Sequence, residues 1–407
     1  MQCTVPTSPP ATPAPPRPAA SPASLLAAFA AVPDPRRRAG RRFPLAAIRA
    51  LAVTAILANH LAVLAIAQWG ADQEAGQLAA LGFPDGVAPH QSTLHRLFRR
   101  LESGALATAL SRYFAPVAPD ASAPPGAQGV AIDGKAQRGR LAFAGGGGGT
   151  VHALTAFCHA QGVALAQEEI RSTAAKTEAE LTVAPALIAR LDWRGRVFTG
   201  DALFCQRAVC RQLLAAGGDY LLLVKENQPT LCHDIALLFD PPTGAAPLPL
   251  LDRREATTLE KGHGPTHDRR HLVASTDLTG HSDGPGLAQV FRLERTWRAG
   301  GRRHRQLHYG LTSLRPPDAD AARLLALKRG HWRIENGLHY VKDCTLGEDR
   351  SQLRLGAGPA VMALLRDTAI SLLRRADWDT IAERPRHFSR HPDEAVRFLC
   401  GPPPENA

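Results

Sequence analysis

The chain has 407 residues, 48 lysines and arginines against 37 acidic residues, and a formal net charge of +11 at pH 7. That length allows two or three domains and a sizeable core, and the basic balance points to a polyanionic partner, most simply nucleic acid. Seven cysteines without a C-x-x-C pair exclude a zinc knuckle and a disulfide framework, and the apolar run from Leu45 to Trp69 is broken by Arg49 and Asn59-His60, which excludes a membrane span. No basic-then-apolar leader opens the chain, so a reducing, cytoplasmic setting beside the nucleoid is expected.

Residues 1–23 are rich in Pro, Ala, Ser and Thr and are expected to be a disordered tail. Ser24 should cap a short apolar helix that stops at Pro33-Asp34-Pro35. The run from Leu45 to Trp69 reads as buried helices, with a short helix over Gln73–Leu81. The stretch Pro89–Leu106 reads as one basic amphipathic helix capped by Ser92 or Thr93. Its apolar stripe is Leu94, Leu97, Phe98 and Leu101, leaving Arg96 and Arg99 free to meet DNA. Residues 24–115 are thus expected to form a small all-α, DNA-binding N-terminal domain, followed by a Pro/Ala linker over 116–128.

From Gly129 the texture changes to strands. GVAIDGK, VHALTAFCHA and GVALAQEEI read as two hairpins, a pentaglycine loop (145–149) separating the first two strands. A helix is expected over 178–192, a strand ending on Asp201, a helix over Gln206–Ala216, a fifth strand DYLLLVK and a helix over Gln228–Phe239. A β-rich insertion spans about 240–315. Helices return from Asp318 to Arg375, and 377–407 reads as a C-terminal tail. The order β-β-β-α-β-α-β, then insertion, then helices describes an α/β fold: an RNase H-like catalytic core over 129–376 carrying an insertion.

Two strands end on carboxylates, Asp133 and Asp201, and sites in open α/β sheets gather at strand ends. A third acid comes from RGHWRIENGLHYVKDCTLGEDRS, residues 329–351. At about 100° per residue, Lys328, His331, Glu335, His339 and Lys342 share one helical wedge, with Ile334, Leu338 and Val341 beside it facing a core. Three such acids suit Mg²⁺, which takes one or two carboxylates together with phosphate oxygens. The competing readings are that Asp133 shapes an Asp-Gly turn and that Asp201 caps a helix. The G-x-x-x-x-G-K-A run at Gly129–Ala136 lacks the Ser or Thr that a phosphate-binding loop needs, and an NTPase is rejected.

At these residues the chain resembles the DDE transposases of bacterial insertion sequences, specifically the ISAs-type group with the H-repeat-associated proteins. The matching stretches are VPDPRRRAGRRFPL, AIDGK, TGDALFCQRAVCRQLLAAGGDYLLLVKENQPTL and RGHWRIENGLHYVKDCTLGEDRSQLR. The resemblance implies that Asp133, Asp201 and Glu335 bind Mg²⁺, with Mn²⁺ able to substitute. It also implies cleavage of double-stranded DNA at element ends and strand transfer into target DNA, by a homodimer or larger assembly and with no small-molecule cofactor. Lys135, Arg138, Lys225, Asn227, Gln228, His331, Lys342 and Arg350 are expected to hold DNA, and Trp332 to fill core. In a related group a Tyr and an Arg precede the glutamate; here Lys328 and His331 stand in those slots. The insertion's His-Gly-Arg-x-Glu-x-Arg motif reads His263-Gly264-Pro265-Thr266-His267-Asp268-Arg269. That departure leaves a second expectation, a decayed or domesticated copy that binds element ends without cutting.

Overall fold

The computed structural model describes residues 24–115, 128–137, 152–170, 179–242, 251–261, 267–376 and 380–401. The Pro-rich tail, the linker over 116–127, the pentaglycine loop, Arg138 and the first four residues of the insertion motif, 263–266, lie outside them.

The N-terminal elements are α1 (Leu25–Ala30), α2 (Leu45–Leu57), α3 (Val63–Ala71), α4 (Ala75–Ala80), α5 (Gln91–Phe98) and α6 (Ser103–Phe114). Ser24 caps α1 through the Ala27 N–H at 3.1 Å. Twelve of the thirteen residues of α2 are buried. Arg49, the charge that interrupts the apolar run, is among them and donates to the Phe29 carbonyl at 2.7 Å, tying α2 to α1. The basic amphipathic stretch forms two helices where one was expected. His90, not Ser92 or Thr93, occupies the N-cap of α5, and the helix stops at Phe98. A second begins after Glu102, whose extended backbone (ψ 99°) breaks the helical run. The expected stripe is buried, and Arg96 and Arg99 face solvent.

A nine-stranded mixed sheet runs in the order β3-β2-β1-β4-β5-β9-β8-β7-β6. Its strands are β1 (Gln128–Ala136), β2 (His152–Cys158), β3 (Ala164–Ile170), β4 (Arg196–Gly200), β5 (Asp219–Val224), β6 (Arg254–Lys261), β7 (His267–Ser275), β8 (Gln289–Ala299) and β9 (Arg302–Thr312). The first three pair antiparallel, while β4 pairs parallel with β1 and β5 parallel with β4. The insertion does not stand apart: β9 pairs with β5 and carries the sheet on through β8, β7 and β6. Between the strands run α7 (Glu180–Ala189), α8 (Arg207–Ala215) and α9 (Pro229–Phe239); α10 (Ala321–His331) and α11 (Gly358–Arg375) follow β9.

One apolar cluster runs from Leu25 in α1 through β1–β5 to α11. A second, smaller one packs α10 against the inserted strands through Leu324, Leu325 and Leu327 on Leu272, Phe291 and Leu293. Within 377–407, read as a tail, α12 (Arg384–Arg390) and α13 (Pro392–Cys400) pack on α2 with Phe388, Val396 and Leu399 buried. Among the described residues no helix is long and apolar enough to cross a membrane.

Candidate active site

The register of β1 on β4 decides where the two aspartates fall. Gln128 pairs with Arg196 and Ala131 with Thr199, an offset of 68 residues. Asp133 and Asp201 each lie two residues past the last of these pairs, and Asp201 is near enough to add repulsion at Asp133. Asp133 does not shape a turn. It lies inside β1 opposite Thr155, and the strand continues to Ala136. The Glu180 carboxylate packs over the next residue, Gly134, where a Cβ would fall 2.1 Å from its Oε1. Asp201 follows β4 directly and caps a short 3₁₀ turn, accepting from the Leu203 N–H at 2.9 Å.

Glu335 reaches Asp133 from the segment that continues α10. His339 Nδ1 lies 3.0 Å from Glu335 Oε2 and 3.5 Å from Asp133 Oδ2. One ligand atom from each of Asp133, Glu335 and His339 lies within 4.8 Å of the others; Asp201 is outside that group. Burial, with Glu180, Glu335 and Asp201 adding repulsion, pushes the Asp133 carboxyl up to about 7. Burial likewise lowers His339 to about 3, so its imidazole is neutral. Two carboxylates that repel each other beside a neutral nitrogen donor fit a divalent cation.

The glutamate's segment is not an α-helix. Glu335–His339 and Val341–Thr345 are π-helical, with the Tyr340 N–H bonded to the Glu335 carbonyl and Leu346 to Val341. These i→i+5 turns are wider, so each residue advances less around the axis than 100°. Lys342 therefore leaves the wedge it was expected to share with Glu335. It is buried, with Nζ 3.0 Å from Asp367 and 3.4 Å from Glu348. Burial opposes its charge, but Asp367 and Glu348 outweigh that and raise its pKa. Arg366 completes a buried quartet, 4.0 Å from Glu348, and donates to the Leu61 carbonyl between α2 and α3. Asp343 comes round to Lys135 on β1 instead, at 2.5 Å.

His331 also turns inward. Its Nδ1 lies 3.2 Å from Thr199 Oγ1, which meets His159 Nε2 at 2.9 Å and donates to the Val130 carbonyl at 3.3 Å. The His159 ring lies between two glycines; a Cβ on Gly129 or Gly330 would fall 2.3 or 2.2 Å from its Nδ1. Burial lowers both imidazoles to about 3, so this is a neutral polar brace from α10 to β4 and β1.

Asn227 and Gln228 hold the loop after Asp201 through the Ala202 and Cys205 carbonyls at 2.6 and 2.9 Å. Lys225 and Arg350 are exposed. Lys328 is buried; desolvation lowers it to about 8 against the opposing pull of Asp201. Trp332, expected in the core, is 59% exposed, because the apolar side of its segment is taken by Ile334, Leu338 and Val341. The roles of His339, Glu180, Thr199 and His159 were missed; only the Glu-x-x-x-His spacing at 335–339 signalled the first.

A family model described as "Transposase DDE domain" matches residues 124–373, a span that contains Asp133, Asp201 and Glu335. The chain belongs to the DDE transposase family. A second model, described as DDE_Tnp_1-associated, matches residues 26–114 of this transposase. The chain is 27% identical to "Putative transposase YncI" of Escherichia coli O157:H7 over 362 residues, 86% of this chain and 87% of that protein. It is 28% identical to "H repeat-associated putative transposase YhhI" of Escherichia coli strain K12 over 235 residues, 55% of this chain and 58% of the relative. For "H repeat-associated putative transposase YbfD" of the same strain the identity is 31% over 147 residues, 35% and 53% of the two chains.

Proposed function

We propose that this transposase is an active insertion-sequence enzyme that cuts DNA at element ends and joins the freed 3′-hydroxyls to target DNA. The observation that carries this is the convergence of Glu335 on Asp133, inside β1, with Asp201 directly after β4, the parallel strand that pairs with β1. In this reading the three acids hold Mg²⁺, with Mn²⁺ able to replace it. Bound there, the metal would stabilise the entering and leaving oxygens of an in-line displacement at phosphorus.

The chain's own groups arrange the rest. The mutual repulsion at Asp133 is relieved once a cation neutralises it. Lys135 and Asp343 fasten the glutamate's segment to β1, and the His331–Thr199–His159 brace fastens α10 to β4. Exposed Lys225 suits a phosphate of the bound DNA, and buried Lys328 places a positive charge near Asp201. Arg96, exposed on α5, and Arg99, exposed at its C-terminal end, suit backbone phosphates of the double-stranded element end.

The strand order β3-β2-β1-β4-β5 with its mixed pairing supports an RNase H-like core, with β6–β9 as the insertion and the helices of 24–115 as an all-α N-terminal domain. Assembly as a homodimer or larger on DNA, close to the nucleoid, belongs to the same proposal. The test is incubation of the full chain with labelled element-end DNA and a plasmid target, with and without Mg²⁺. Mg²⁺-dependent nicking and a joined product are expected. Binding without either would assign the chain to end recognition alone.

A further inference from the structure

A ring nitrogen stands among the acids of the proposed metal site. The geometry points to His339 Nδ1 as a direct ligand of the metal held by Asp133 and Glu335, an inference that rests on that proposed site.

Three observations carry it. First, His339 Nδ1 sits 3.0 Å from Glu335 Oε2 and 3.5 Å from Asp133 Oδ2. An octahedral ion with ligands at about 2.1 Å sets adjacent ligand atoms roughly 3 Å apart, so these are the edges such an ion requires. Second, two carboxylate oxygens converge on one ring nitrogen. A single N–H can serve one of them, whereas a cation between the three serves all. Third, His339 is only 4% exposed, on a segment that Lys135 and Lys342 anchor at two points. It is held in place before any ion arrives. Residues four apart on one helical face are a recurrent ligand spacing.

A nitrogen donor changes which ion the site prefers. Imidazole suits Mn²⁺ better than Mg²⁺, which favours oxygen ligands. The site should therefore bind Mn²⁺ more tightly than Mg²⁺, by more than an all-carboxylate set would.

Pulsed electron paramagnetic resonance of Mn²⁺ bound to the full chain tests this without any turnover. The wild type should show ¹⁴N modulation from a bound imidazole, converted to the ¹⁵N pattern when the protein is produced with ¹⁵N-histidine. His339→Gln should lose that modulation and bind Mn²⁺ about tenfold or more weakly, whereas His152→Gln, on the neighbouring strand, should keep the nitrogen signal. The isotope comparison needs no variant, so it stands even if His339→Gln folds poorly. Mn²⁺ that binds, is lost in Asp133→Asn, and shows no nitrogen coupling would overturn the inference while sparing the metal site. Absence of any Mn²⁺ binding would remove both.

Discussion

Asp133, inside β1, and Asp201, the residue directly after β4, each lie two residues beyond Ala131 and Thr199, the last register pair of these neighbouring parallel strands. Everything else at the site is arranged around that pair. Glu335 comes to Asp133 from the helical side, and Lys328 raises a cation beside Asp201.

The burial of Asp133 among other carboxylates makes the metal-free protein sensitive to pH. Asp133 titrates at about 7 when folded against 3.8 ordinarily, so the folded state holds this proton more tightly than the unfolded chain does. Its contribution to stability is then greatest at low pH and is lost as pH rises from about 4 through 7. In chelator, the wild type should melt higher at pH 5.5 than at pH 8 by a margin that Asp133→Asn removes, and Mg²⁺ should restore stability at pH 8. Parallel melting curves for the two proteins would contradict this.

His331 is expected to position rather than to bind. His331→Leu should lower the single-turnover cleavage rate about 10- to 100-fold, as a small misplacement of a catalytic group does, with little change in KM for DNA. His331→Asn, which keeps a polar group near Thr199, should recover part of the rate. A raised KM with an unchanged rate would make His331 a DNA contact.

Lys342 is the buried centre of an ion quartet, and removing one member of such a group leaves a partner charge unpaired. Lys342→Met should cost about 3–5 kcal/mol in urea unfolding. A variant of normal stability whose salt dependence of DNA binding falls by about one phosphate would return Lys342 to the role of a phosphate ligand.

DNA binding should weaken steeply with salt, with α5 contributing. Arg96→Ala and Arg99→Ala, both on the exposed face, should each lower the slope of log affinity against log salt by about one. Unchanged slopes in anisotropy titrations would take α5 out of the interface.

The strands around the site were legible because each is an apolar run closed by a polar or glycine signal, as in VAIDG and VFTGD. β6 was not: REATTLEK alternates charge with small residues, and only pairing with β7 makes it a strand. The helix of the glutamate was legible in outline, through Ile334, Leu338 and Val341, all buried. Its winding was not. The wider π turns send Lys342 inward and bring Asp343 to Lys135, and nothing in local propensity distinguishes them from α turns. The break between α5 and α6 escaped for a similar reason, since the apolar stripe continues through Leu101 and Leu106 across it.

In the proposed site Glu335, and not a neighbouring acid, joins Asp133 and Asp201. Asp343 is the rival, since it also reaches β1, but its charge is paired with Lys135. The decisive measurement is cleavage of one labelled element end in Mg²⁺ by Glu335→Gln, Asp343→Asn and the two variants Asp133→Asn and Asp201→Asn. Glu335→Gln should be as inactive as the two aspartate variants, with DNA binding near wild type, while Asp343→Asn keeps measurable activity. Cleavage retained by Glu335→Gln and lost in Asp343→Asn would contradict the account.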